Sequence, residues 1–417
     1  MYAQGHRRIS GRVGLVSLFA CLLVLVGCGG AGSGLPDAAP TLSPTLDLAR
    51  LATMVAQRTP GSRYTPAANL PPVSGPPCPE PGPPLTPATA APVVPSPAAT
   101  GTPIAGAMPQ TFPGPCVDHR YDQPLAFSPD GRALAIGGAA TVALYDPASG
   151  RALWALPTPA RPTAIAFAPD GAILAIGLAD GRVLLCRVAD GAVARILDRP
   201  GRVYGSQDWY ITVGSLSFSP DGLLLAGGYV GLVAVWPLAT GGSPTILGLD
   251  PAVVEALAFE EGGAYLRVVL PGSIDSTRLS LPNLHRWRTS DWRLVDSWTV
   301  QVIGTASLTG NGPTLATAGD GVAIWNLGGP MPMRRATPLA GPYWSTTSLP
   351  QLAFSPRGDL VVGGTSFGKI YLWDAASETV IASYAGPEKP STGVALAPDD
   401  STVAAVFPDG TVYLWRR

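Results

Sequence analysis

The chain has 417 residues, 27 basic against 28 acidic side chains and a net charge of −1; only 13% of residues are charged, and the mean hydropathy is +0.25. Balanced charge with no basic face in the sequence argues against a nucleic-acid partner. A Gly-rich phosphate loop, a Cys-x-x-Cys pair and a metalloprotease helix are all missing from the sequence, so it offers no catalytic constellation and implies no cofactor or metal.

The first element is an export signal. His6, Arg7, Arg8 and Arg12 form a basic lead, and Val13 to Val26 is an apolar stretch of fourteen residues. That is too short for a membrane span and suits the apolar region of a signal peptide. It ends in Leu25-Val-Gly-Cys28, followed by Gly29 and Gly30. The motif resembles the bacterial lipoprotein lipobox, which implies a signal peptide over 1–27, cleavage before Cys28 and acylation of that Cys. Several acyl chains hold a protein stably at a membrane where one does not. The expected location is therefore the outer side of the bacterial cytoplasmic membrane, with the lipid as the only membrane contact. Arg7-Arg8 leaves the export route open.

Residues 28–110 read as a spacer, rich in Pro, Ala, Thr, Gly and Ser, with tracts such as Pro71-Pro-Val-Ser-Gly-Pro-Pro77. Such composition buries little apolar surface and favours extended conformers. Within it, Leu46, Leu48, Leu51, Met54 and Val55 fall at helical spacing behind Thr45. They form either a docking helix over 45–58 or a transient turn of linker. Cys78 and Cys116 are the two cysteines left for a disulfide, whereas Cys186 sits in a strand as a small buried hydrophobe. Two cysteines in different loops without a nearby His pair make poor zinc ligands.

From residue 125 the sequence repeats. Leu125-Ala-Phe-Ser-Pro-Asp-Gly131 recurs as Ile165-Ala-Phe-Ala-Pro-Asp-Gly171, Leu216-Ser-Phe-Ser-Pro-Asp-Gly222 and Leu352-Ala-Phe-Ser-Pro-Arg-Gly358. Divergent copies start at Leu257, Ala306 and Val394. Seven copies at spacings of 40 to 51 residues, built on strand patterns, indicate propeller blades. Within one unit, apolar runs of period two alternate with turns. Pro fixes φ there, Asp bonds its own backbone, and Gly takes positive φ. Four strands per unit make one blade. Blades packed between neighbours are apolar on both faces, which accounts for the positive hydropathy.

The third strand of most units ends in an aromatic: Leu144-Tyr-Asp146, Val235-Trp-Pro237, Arg286-Trp-Arg288, Ile324-Trp-Asn326, Leu372-Trp-Asp374 and Leu414-Trp-Arg416, with Cys186 in the second unit. On these motifs residues 111–417 resemble a WD-repeat β-propeller. The resemblance implies an all-β fold of seven four-stranded antiparallel blades. The Gly-His pair usual before such a blade is absent, and the chain holds only His6, His119 and His285. The family's His-Asp-Trp network therefore cannot form in its usual shape. Arg417 follows the third strand of the seventh unit directly, so an earlier segment must supply the missing outer strand; 111–119 is the candidate.

The resemblance further implies a non-catalytic interaction platform, and a protein partner is the leading expectation. The alternative is a carbohydrate or cell-wall ligand, because sugar rings stack on aromatic faces. A propeller hydrolase or quinoprotein would need acids, His residues or metal ligands converging on the channel mouth. The candidate binding residues lie in loops of one face: Arg202, Tyr204, Asp208, Trp209 and Tyr210 between units two and three, Tyr343 and Trp344 between five and six, and Tyr229 and Phe367 in short loops of units three and six. Large aromatics there are either recognition anchors or plugs of the core and channel. Asp130, Asp170, Asp221 and Asp399 recur in turns and read as structural. Glu255, Glu260 and Glu261 cluster in unit four, and His285 is expected in a strand of the same unit.

Overall fold

In a computed structural model the described residues are 109–115, 122–200, 212–249, 252–271, 283–300, 305–309, 314–318, 322–328, 333–335, 351–365, 367–377 and 379–417. They form seven four-stranded antiparallel sheets. Blade one shows the pattern: Leu125–Phe127, Leu134–Gly137, Thr141–Asp146 and Arg151–Pro157, paired in simple meander order. The seven innermost strands are Leu125–Phe127, Pro162–Phe167, Ser215–Phe218, Ala256–Glu260, Ala306–Leu308, Leu352–Phe354 and Gly393–Leu396. Each lies against the innermost strands of its two neighbours, so they close a circle around an axis.

The core is divided among the blade interfaces. Leu144, Leu174 and Ile176 pack between blades one and two, and Leu225, Trp236 and Val183 between two and three. Similar clusters fill the remaining interfaces, the last joining Val406 and Val412 of blade seven to Leu134 and Ile136 of blade one. This explains why strand runs such as Leu134–Gly137 are buried throughout instead of alternating. The aromatic ending strand three needs space on strand two. A Cβ on Gly227 would lie 2.9 Å from the Trp236 ring, and one on Gly363 would lie 2.8 Å from Trp373. Cys186 is fully buried in the equivalent place in blade two.

Gln110–Pro113 closes the ring. It pairs with the last strand, Thr411–Arg416, in the register Gln110↔Leu414 to Pro113↔Thr411, and becomes the outer strand of blade seven. The expected segment, 111–119, overlaps this strand at 111–113. The strand starts one residue earlier and stops at Pro113, and Gly114 then bonds the Gly410 carbonyl. Phe112 anchors it: its ring lies 5.0 Å from that of Tyr145, over Gly150, whose φ of +69° and missing side chain leave room.

The strands define two ends of the ring. On one, the turn face, lie the turns between strands one and two and between three and four. On the other, the connection face, lie the strand two-to-three loops and the crossings from strand four to the next blade. Because Gln110–Pro113 runs antiparallel to Thr411–Arg416, the chain reaches the ring from the turn face.

Candidate functional site at the channel mouth

The repeated turns of blades one, three and six satisfy their own polar groups, whereas in blade seven Asp400 Oδ1 is buried without a hydrogen-bond partner among the described residues. In blade one Ser128 Oγ donates to Asp130 Oδ1 at 2.6 Å and accepts from the Ala133 amide at 2.9 Å, while the Arg132 amide donates to the same carboxylate at 3.0 Å. Gly131 supplies the required positive φ of 70°. Blade three repeats the arrangement with Ser219 and Asp221. Blade six, where Arg357 replaces the Asp, uses Ser355 with Asp359. Hydrogen bonding to Ser219 and to the Leu223 amide holds the Asp221 carboxyl below its ordinary range. These acids are committed to the scaffold.

Blade four solves the turn differently. Glu260, Glu261 and Gly262 stand where other blades carry Ser/Ala-Pro-Asp, and Glu261–Gly263 forms a 3-10 turn. Glu260 is buried and meets buried Arg267 at 2.5 Å, with Arg286 Nε at 3.3 Å from its second oxygen. Arg286 also reaches Glu261 at 2.5 Å and Asp296 at 3.6 Å, and lies 3.7 Å over the Tyr265 ring. His285 is buried with Nδ1 2.6 Å from Ser297 Oγ, a strand histidine as expected.

The expected cluster of Glu255, Glu260 and Glu261 does not exist. Strand Ala256–Glu260 runs between them, leaving Glu255 at the connection face and the other two at the turn face. Glu255 instead belongs to a group gathered from four blades. Asp122 precedes the innermost strand of blade one, Arg161 that of blade two, Glu255 that of blade four and Gln351 that of blade six. Because the innermost strands circle the axis, these residues meet at the mouth of the central channel.

Their electrostatics set them apart from the turn acids. Partial burial pushes the Glu255 carboxyl up to about 7, and the nearby Asp122 charge adds to the rise. Asp122 keeps solvent contact, yet the protein around its carboxyl also raises its pKa, against the opposing pull of Gln351 and Arg161. Gln351 is a hydrogen-bond partner of the Asp122 carboxyl. Ser391 Oγ and Thr158 Oγ1 are buried without a hydrogen-bond partner among the described residues, and both lie in strand four-to-one crossings. The innermost strands of blades three, five and seven are preceded by uncharged Gly214, Thr305 and Thr392.

Of the loop residues expected to bind, Phe367 lies on the connection face with 54% of its surface exposed. Tyr229 does not: it ends strand Leu224–Tyr229, is buried, and its hydroxyl donates to the Gly181 carbonyl at 2.9 Å. Its ring packs edge-on to Trp236, so it serves the interface between blades two and three and presents no surface to a ligand. Arg202, Tyr204, Asp208, Trp209, Tyr210, Tyr343 and Trp344 lie outside the described residues, as do Cys28, Cys78, Cys116 and the 45–58 segment. Asp122, Arg161 and Gln351 were missed by reading loops for aromatics. The signal for them was positional, one to four residues upstream of the first residue of each repeat motif, Leu125, Ile165 and Leu352.

The chain resembles known proteins in fold only. Kuenenia stuttgartiensis hydrazine synthase is similar at a TM-score of 0.60 and 15% identity, covering 72% of this chain and 97% of that one. No protein-family model and no curated protein matches the sequence.

Proposed function

We propose that this chain is a non-catalytic binding propeller, tethered through acylated Cys28 to the outer side of a bacterial cytoplasmic membrane, whose connection face receives a protein partner. The observation that carries this reading is the contrast between the faces. Asp130 and Asp221 on the turn face are consumed by their own turn, while the channel mouth gathers Asp122, Arg161, Glu255 and Gln351 from four blades, with the Glu255 carboxyl pushed up by burial. A partly buried group of ionisable side chains on a rigid scaffold is a candidate place for another molecule. The direction of Gln110–Pro113 agrees, because this strand enters the ring from the turn face. Phe367 supplies an exposed aromatic anchor there. The likeness to hydrazine synthase, at 15% identity, lends no support to an enzymatic reading.

The test places a photo-crosslinking side chain at Phe367 or, separately, at Asp190 in the turn face, in the full chain within its native envelope. One discrete protein adduct from Phe367, absent from Asp190, is expected. Adducts confined to Asp190, or equal at both positions, would overturn the assignment of the face. In the same fractions Cys28→Ser should leave the membrane pellet or persist as full-length precursor, and fractionation like the parent would remove the tether.

A further inference from the structure

Six of the seven blade interfaces hold the aromatic that ends a third strand: Tyr145, Trp236, Trp287, Trp325, Trp373 or Trp415. The interface between blades one and two holds Cys186 in that place. A cleft of about 610 Å³ opens at this interface, on the turn face. Its size falls within the roughly 300–1,000 Å³ of small-ligand sites. The gap between blades six and seven is bridged, because Arg357 of one pairs with buried Asp400 of the other. Blades one and two carry Asp130 and Gly171 at those two positions, so the same bridge cannot form.

The walls of the cleft specify a ligand. On blade one, the Trp154 ring is fixed by an Nε1 bond to the Val188 carbonyl at 2.7 Å. It lies over Gly191, where a Cβ would come within 2.8 Å of it. Leu153 beside it is exposed. Arg132 and Arg151 line the same wall, and neither guanidinium has a hydrogen bond or ion pair among the described residues. On blade two stands Asp170. Blade two has Ala168 where blades one, three and six carry Ser, so this acid lacks the hydroxyl partner of the other turns. Its Oδ1 accepts from the Ala172 amide at 2.9 Å, and its Oδ2 has no partner among the described residues. Guanidinium only donates and carboxylate only accepts. A ligand that serves both walls must do both, as a hydroxyl does. Two acids, Asp130 and Asp170, face two bases, so the complement is neutral. The indole adds a demand for a flat C–H face. A pyranose with equatorial hydroxyls meets all three conditions, whereas a peptide group divides donor and acceptor between two fixed atoms and offers no such face.

We propose that the cleft between blades one and two binds a neutral, equatorially hydroxylated pyranose residue of a glycan, stacked on Trp154, accepting from Arg132 and Arg151 and donating to Asp170 Oδ2. This is a second site, on the face opposite the one assigned to the protein partner, and it goes beyond that assignment.

The probe is cellobiose, titrated into the full chain by saturation-transfer NMR, with acetyl-tetraalanine-amide as the peptide comparison. Saturable binding of cellobiose is expected in the millimolar range, with the protons of one pyranose face receiving most of the saturation. Arg132→Gln combined with Arg151→Gln should weaken it on the order of tenfold at an unchanged melting temperature, because neither guanidinium bonds to the rest of the ring. Ala189→Trp, which fills the cleft from its exposed rim, should block binding. Trp154→Ala should abolish it too, but that change also removes a packed ring, so the arginine and Ala189 variants decide. No saturable binding to folded chain up to about 50 mM overturns the proposal. Undiminished binding in the arginine variant, or stronger saturation of the peptide than of cellobiose, does so as well. None of these outcomes bears on the Phe367 adduct, so the glycan site and the partner's face fall separately.

Discussion

The two faces of this ring are made from the same strands and follow different rules. On the turn face a short cassette recurs: Ser and Asp wrap a tight turn, each polar atom finds a backbone group, and the result is the same in blades one and three. On the connection face an Asp-Gly turn recurs in blades two and seven, where Asp180 and Asp409 accept from the Arg182 and Thr411 amides, but the crossings between blades do not repeat. The crossings differ in length and composition, Asp122 and Glu255 hold protons unusually well, and Ser391 and Thr158 keep buried polar atoms unpaired among the described residues. Repetition is what a scaffold requires, because each blade must meet the next in the same way. A site needs the reverse, a set of groups that occurs once. The contrast separates folding from recognition without reference to any relative.

The comparison breaks if the scaffold proves indifferent to its turn-face features. The largest test is closure. Removing everything before Asp122 deletes Gln110–Pro113, frees the edge of Thr411–Arg416 and empties the place of buried Phe112. Loss of one buried Phe alone costs about 3–5 kcal/mol, and an open strand edge adds aggregation. The melting temperature should fall by at least roughly 5 °C. An unchanged melting curve would mean that the ring does not depend on this strand.

The next test concerns blade four, the one turn that departs from the cassette. Arg267→Met leaves Glu260 buried against Arg286 alone, whose Nε stands at 3.3 Å. Stranding a buried charge costs about 3–5 kcal/mol, whereas Glu260→Gln with Arg267→Met removes the pair together and should recover much of the loss. Equal destabilisation by the single and double variants, measured by denaturant unfolding, would show that packing rather than charge holds this turn.

Much of this was legible in the sequence. The repeat anchors Phe127, Phe167, Phe218, Phe259 and Phe354 each end or nearly end an innermost strand, and Pro-Asp-Gly marks the turns, because tight turns and buried strands demand particular residues locally. The need for a closing strand followed from a blade one strand short, and only its boundary moved. The site was far less legible. Asp122, Arg161, Glu255 and Gln351 are separated by up to 229 residues and come together only because a circle brings the first strands of blades one and six to one axis. Glu255 was grouped with Glu260 because sequence proximity hides a strand that carries them to opposite faces. Tyr229 looked like a loop aromatic because its strand ends at that residue, and the neighbouring blade that buries it lies 48 residues away, at Gly181.

The smallest test compares two serines that differ chiefly in their face. Ser219 is buried on the turn face, where its Oγ donates to Asp221 at 2.5 Å and accepts from the Leu224 amide at 2.9 Å. Ser219→Ala leaves that amide without its acceptor, and the loss should be about 1–3 kcal/mol. Ser391 is also buried, on the connection face, and its Oγ has no partner among the described residues. Replacing it with Ala removes a polar atom that the ring desolvates without compensation, so stability should be unchanged or rise by up to about 1 kcal/mol. Opposite signs from the same substitution, read in one denaturant series, are what a self-satisfied turn at Ser219 and an unsatisfied crossing at Ser391 require. If Ser391→Ala destabilises as much as Ser219→Ala, the connection face is satisfied in solution, and the distinction between scaffold and site must then rest on Asp122 and Glu255 alone.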